Sequence, residues 1–156
     1  MKRGKAYQPI LLGGLIAGTL DISYACIFSY IRRGTRPGVV LQSVASGALG
    51  RGAYEGGAKT AVLGLAFHFL IALTAAAVYY FASRVLRFMV THACICGILY
   101  GVLVYLFMNC VVLRVSAIHS TTWPWSYPWP PLIGGLLIHM FGIGLPIALV
   151  TRRYSK

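Results

Sequence analysis

Ala61–Phe81 reads AVLGLAFHFLIALTAAAVYYF, and its reading decides the fold. No residue in it carries a fixed charge, and His68 near its middle is its one histidine, a residue type that can gain a proton. A bilayer core is spanned by about 20 apolar residues in helical form. The stretch therefore predicts a membrane-crossing helix over 58–81. Working outward, three more stretches meet the same criterion: Ile10–Ile31, Cys94–Leu113 and Leu132–Val150. Lipid offers no partner for backbone polar groups, so the expected architecture is all-α, with no sheet. The chain reads as one integral membrane domain over residues 1–156, a four-transmembrane-helix bundle.

Composition agrees. The chain is 58% hydrophobic and 10% charged, with a mean hydropathy of +0.76, whereas a soluble domain carries about 25% charged residues. Asp21 and Glu55 are the two acids against 14 Lys and Arg, a formal net charge of +12. A basic excess on a soluble element would point to nucleic acid. Here the basic residues flank apolar segments, which points to a bilayer with anionic headgroups and excludes nucleic acid as the expected partner.

Lys2, Arg3 and Lys5 resemble the positive start of a signal peptide. The apolar run behind them exceeds a signal core of about 7–15 residues, and Asp21 interrupts it, so the first helix is expected to stay in the protein. With the N-terminus inside, the inner ends carry Lys2, Arg3, Lys5, Arg84, Arg87, Arg152, Arg153 and Lys156. The outer ends carry Arg32, Arg33, Arg36, Arg51, Lys59 and Arg114. This slight inside bias, and the absence of Lys and Arg from Ser116–Pro131, predict cytoplasmic N- and C-termini. Trp123, Trp125, Tyr127 and Trp129 in that loop suit an outer interface, as plain anchors, a bundle cap or an oligomer contact.

Between the first two spans, 35–57 is too short and small-sided for another crossing. Two readings stand: a helix lying on the outer surface, with Val40, Val44, Gly47 and Ala48 on one face, or a re-entrant hairpin. Its glycines match no phosphate-binding pattern.

Residues three or four apart share a helix face. Gly14, Ala17, Gly18, Asp21 and Ala25 line up on the first span, and Ala61, Gly64, His68, Ala72 and Ala75 on the second. Gly97, Gly101, Tyr105 and Asn109 line up on the third, and Gly135, His139, Gly142 and Pro146 on the fourth. Small residues let membrane helices approach closely, so each polar residue is expected to point into the bundle. Asp21, His68 and His139 sit at similar depth, and their side chains are expected to converge, directly or through water. Asn109 belongs to the same site but lies about one turn or more toward the outer side, with hydroxyls of Tyr105, Thr19, Tyr24 and Thr74 nearby. Each has a plainer reading too. Either histidine, or Asn109, would serve as cross-helix glue worth about 1 kcal/mol, and an Asp–His pair could be purely structural. Asp21 is the hardest to dismiss, because a carboxyl in hydrocarbon must pair, neutralise or face water. Pro146 is expected to kink the fourth span. Cys26, Cys94, Cys96 and Cys110 read as buried apolar cysteines, not as disulfides.

Gly14-Leu15-Ile16-Ala17-Gly18, His68 before an Ala-rich run, Cys96-Gly97-Ile98-Leu99-Tyr100-Gly101, and a Trp/Pro loop before Gly135-Leu136-Leu137-Ile138-His139 follow in an order that resembles the YagU-like family of small bacterial inner-membrane proteins. The resemblance covers 13–18, 62–112 and 123–142. Asp21 and the segment 35–57 depart from it. It implies a multi-helix protein of a bacterial inner membrane and carries no reaction or ligand with it.

Four roles follow. One is a small proton or cation transport unit built on Asp21, His68 and His139, with Asn109 and Tyr105. The second is a non-catalytic accessory or assembly subunit, as a homo-oligomer or in a larger membrane complex. The third is a haem held by His68 and His139, or a divalent metal held by those two and Asp21. The fourth, an enzyme, has least support: no HExxH, Ser-His-Asp order or paired-carboxylate motif is present.

Overall fold

The computed structural model describes residues 7–155, so Lys2, Arg3, Lys5 and Lys156 lie outside the described residues. Four helices are long and apolar enough to cross a membrane: α1 Tyr7–Arg33, α3 Gly57–Val85, α4 Ala93–Val115 and α5 Trp129–Ser155. A shorter helix, α2, covers Pro37–Leu49. No strand occurs among the described residues. The protein is thus an all-α integral membrane protein.

Each long helix overruns its predicted span by a few residues at each end. An apolar run marks only the hydrocarbon part of a helix. The 27 residues of α1 measure about 40 Å, against a core of about 30 Å. The extra turns carry Arg32 and Arg33 on α1, Arg84 on α3, and Arg152 and Arg153 on α5. Cations at helix C-termini also oppose the helix dipole.

Small residues close the seams. Gly13, Gly14, Ala17 and Gly18 form the buried stripe of α1. A methyl added at Gly14 would fall 2.9 Å from Leu73 Cα on α3, and one at Gly18 2.9 Å from the Phe69 ring. The α4–α5 seam is tighter still. Hydrogen is all that fits at Gly101, where a methyl would overlap the His139 carbonyl oxygen and come within 2.6 Å of Met140 Cα. A methyl on Gly144 would likewise overlap the Gly97 carbonyl. So both glycine pairs, Gly14/Gly18 and Gly97/Gly101, sit at helix contacts as their spacing predicts. The core between the seams is Ala17, Ala76, Tyr79, Ala93, Ile143, Ile147 and Ala148. The outward flanks carry exposed Leu, Ile, Val and Phe.

The segment 35–57 is one helix and a 3-10 turn, Gly50–Tyr54. Pro37 opens α2, where its missing amide hydrogen costs nothing. Gly50 ends it at φ 63°, ψ −152°, a conformation open to glycine. The helix lies across the end of the bundle where α1 finishes, α3 starts and α4 finishes. Gln42, 7% exposed, donates to the Gly57 carbonyl at 3.0 Å and to Thr60 Oγ1 at 3.3 Å. At the far end the Ala117 amide donates to the Gly47 carbonyl at 2.8 Å. Gly64 of α3 abuts the Leu41 carbonyl. The buried face is Val40, Gln42, Ala45 and Ser46, while Val44, Gly47 and Ala48 line an apolar space beside it. Hydrogen bonding makes that possible, since Gln42 and Ser46 both find partners.

Two of the spans are not regular α-helix. α4 widens into π-helix at Met108–Val112 and α5 at Ile138–Gly144. α5 runs on as α-helix from Leu145 through Pro146. Pro146 has no amide hydrogen to give the preceding turn, and the wide turn directly before it takes up the mismatch. At the α2 end, the aromatic loop stacks Trp123 on Trp125 at 4.7 Å, and the Arg114 guanidinium lies 3.6 Å over the Trp123 ring. The four cysteines are free, and none is fully buried; Cys94 is exposed on the apolar flank.

Candidate functional site

The bundle holds a half-open cavity of about 220 Å³. Asp21 of α1, His68 of α3, Asn109 of α4 and His139 of α5 all border it, so each span contributes one polar residue. Ala17, Gly18, Ala72 and Ala75 supply small walls, and Val44 of α2 closes one side. Shared small-residue faces bring these four together, Asn109 included although its place in the span is nearer the C-terminal end. Tyr105, the fifth residue expected here, is 5% exposed and lies behind the cavity wall. Its ring meets His139 edge-on at 5.3 Å, and its hydroxyl has no partner among the described residues. Thr19, Tyr24 and Thr74 do not border the cavity. The Thr74 hydroxyl is turned to its own helix, donating to the Leu70 carbonyl at 2.7 Å.

The histidines do not bond to Asp21. His68 Nε2 donates to the Gly18 carbonyl of α1 at 2.8 Å, and His139 Nδ1 donates to the Gly135 carbonyl of its own helix at 2.8 Å. A carbonyl oxygen only accepts, so each facing nitrogen holds the hydrogen. In the neutral ring the other nitrogen, Nδ1 of His68 and Nε2 of His139, keeps a lone pair. Asn109 spends one N–H on the Tyr105 carbonyl at 2.9 Å, leaving its side-chain oxygen free. Asp21 forms no hydrogen bond or ion pair among the described residues, yet both its neighbours His68 and His139 border the same space. None of these four groups is a sealed, unsatisfied buried atom. The cavity is therefore bordered by a carboxyl group, two imidazoles each with one nitrogen unbonded, and an amide, on otherwise apolar walls.

That set suits a proton or a donor-bearing cation. It is not gathered as a metal site: among the described residues no three His, Cys, Asp or Glu side chains group tightly enough to hold an ion. The physical reason is that the nearby carbonyls already orient both rings. Bridging the histidines through a haem iron by their Nε2 atoms would require His68 to surrender its bond to Gly18.

Sequence reasoning missed three contributors. Val44 comes from a helix whose depth the pattern left open. Met108 and the two π segments carry no periodic signal of their own, although Gly142, Gly144 and Pro146 in close order hint at irregular backbone. Asn109 and His139 both lie within π segments, a geometry often found at functional sites.

Fold and site together define a four-span membrane bundle with one polar residue per span facing a common cavity. No family model, curated protein or solved structure matches the chain.

Proposed function

We propose that the protein takes up and passes protons or small donor-bearing cations through the membrane at the Asp21 cavity. The observation that carries this reading is a carboxyl group without a partner among the described residues, inside a bundle, sharing a cavity with two histidines. An intramembrane acid facing a cavity can hold a proton that water or a neighbouring ring delivers. The two π segments give α4 and α5 a backbone that can change hydrogen-bond register beside the site. The membrane is a bacterial inner one, with the termini on the cytoplasmic side and anionic headgroups against the basic helix ends. The YagU-like order of motifs supports that setting.

Reconstitution tests the function. Vesicles holding the chain should dissipate an imposed pH gradient faster than empty vesicles, and Asp21→Asn should abolish the excess rate while the protein still elutes and unfolds as the wild type does. Equal rates for wild-type and empty vesicles would end the transport reading. One observation favours the accessory-subunit alternative. The His68–Gly18 bond ties α3 to α1 as structural glue would. Under that reading, alone or in a homo-oligomer, the chain carries no flux, and His68→Leu loosens the bundle.

A further inference from the structure

The bundle does not close equally on all sides. α3 and α4 are pinned at one end, where the Tyr79 and Tyr100 rings meet edge-on at 5.0 Å and the Tyr100 hydroxyl donates to the Ala75 carbonyl at 2.7 Å. From there they diverge. The gap holds a groove of about 500 Å³ walled by Leu70, Val78, Leu103, Phe107 and Val112. A second apolar space of about 400 Å³ continues under α2, between Val44, Phe67 and Ile118. Ile71 and Met108 border both spaces and the polar cavity as well, so the three adjoin. At the α2 end the Ala117 amide donates to the Gly47 carbonyl beside this second space. The groove opens sideways. Its lips, Leu70, Val78, Leu103 and Phe107, are exposed on the flank that acyl chains cover.

The chemistry of the two compartments differs. The outer one is hydrocarbon-like, and the inner one brings the Asp21 carboxyl group together with two imidazoles and an amide. A ligand that satisfies both has an apolar body and a cationic head with N–H donors. The geometry points to a lipophilic ammonium ion, a protonated alkyl- or arylalkylamine, reaching Asp21 from the bilayer through the window between α3 and α4. This rests on the reading of the Asp21 cavity as a cation site and names the ligand class it takes. A second copy of the chain fits the window poorly. Membrane helices approach through small residues, α4 spends Gly97 and Gly101 on α5, and the window presents bulky Leu and Phe. A neutral acyl chain fits the outer groove but leaves the polar groups unanswered.

Photolabelling of the full chain in lipid vesicles decides this. Dodecylamine bearing a diazirine on its chain is compared with the matching dodecanol at equal membrane concentration, with adducts mapped by mass spectrometry. The expected result is labelling of the α3 and α4 window about tenfold stronger for the amine, the size of one charge-assisted hydrogen bond. Asp21→Asn should erase the excess. Ile71→Trp, which fills the junction without replacing any of the polar groups, should reduce amine labelling at Leu103 and Phe107 even if the Asp21 variant folds poorly. Equal labelling by amine and alcohol, or an amine excess indifferent to both variants, overturns the inference. So does a window blocked by cross-linked dimers. Proton flux in the same vesicles separates the two proposals. Flux without amine-selective labelling overturns the ligand class alone, and amine-selective labelling without flux overturns transport alone.

Discussion

α4 has two neighbours and treats them oppositely. Toward α5 it presents Gly97 and Gly101, and the two backbones touch. Toward α3 it presents Leu103, Val104 and Phe107, and the helices part around an apolar groove. Hydropathy is similar on both sides, since lipid tails are as apolar as leucine and give helices no hydrophobic reason to associate. Side-chain size decides which seam closes. In a soluble core a large apolar residue pulls elements together. In this bundle it holds them apart, and a glycine admits the close contact.

Substitutions can break that comparison. The largest effect is expected at Gly101→Ala. The added methyl meets backbone rather than a movable side chain, so α4 and α5 must separate. The cost should reach or pass the upper end of the usual overpacking range of about 1–3 kcal/mol. It would be read as a lowered unfolding midpoint in detergent, and a midpoint within error of wild type would refute the backbone-contact account. Next comes His68→Leu, which deletes the bond to the Gly18 carbonyl across the α1–α3 seam. A loss of about 0.6–1.7 kcal/mol is expected, the span measured for such bonds in membranes. Gly38→Ala should go the other way. Nothing lies within 4 Å of the added methyl, and alanine favours helix by about 0.5–1 kcal/mol. A destabilised Gly38→Ala would mean that α2 packs against something at that face. The smallest effect belongs to the window. Leu103, 63% exposed, faces lipid whether or not the helices are associated, so Leu103→Ala should shift stability by less than about 0.5 kcal/mol. A large loss there would show that the window is closed in the membrane.

The helix count, the inward stripes and the four cavity residues were legible because each rests on one physical rule acting locally. Length against bilayer thickness gives the spans, and small residues at i, i+4 spacing give the packing face that carries Asp21, His68, Asn109 and His139. What was not legible depends on several elements at once. The direct Asp–His contact does not form because the Gly18 and Gly135 carbonyls are nearer bidders for the rings, and no periodicity reveals a carbonyl's direction. Tyr105 shares the stripe with Asn109, yet it packs behind His139 because Gly135 makes room for its ring there. The buried face of α2 follows from Gln42 finding Gly57 and Thr60, a partnership set by how α2 crosses α3.

The wide turns at Met108–Val112 and Ile138–Gly144 have a genetic consequence. A π turn houses an extra residue in a helix that would otherwise run as α. Deleting one residue there lets the ladder re-form as α-helix and leaves the turns beyond it near their original facing, whereas a deletion in a regular stretch rotates everything beyond it by about 100° about the helix axis. In α5 the aromatic-loop half and the half bearing Arg152 and Arg153 would keep their relative facing, and the change would fall on the placement of His139 itself. A lost codon at either place is therefore a mutation that membrane insertion and helix packing would tolerate, with its effect confined to the cavity.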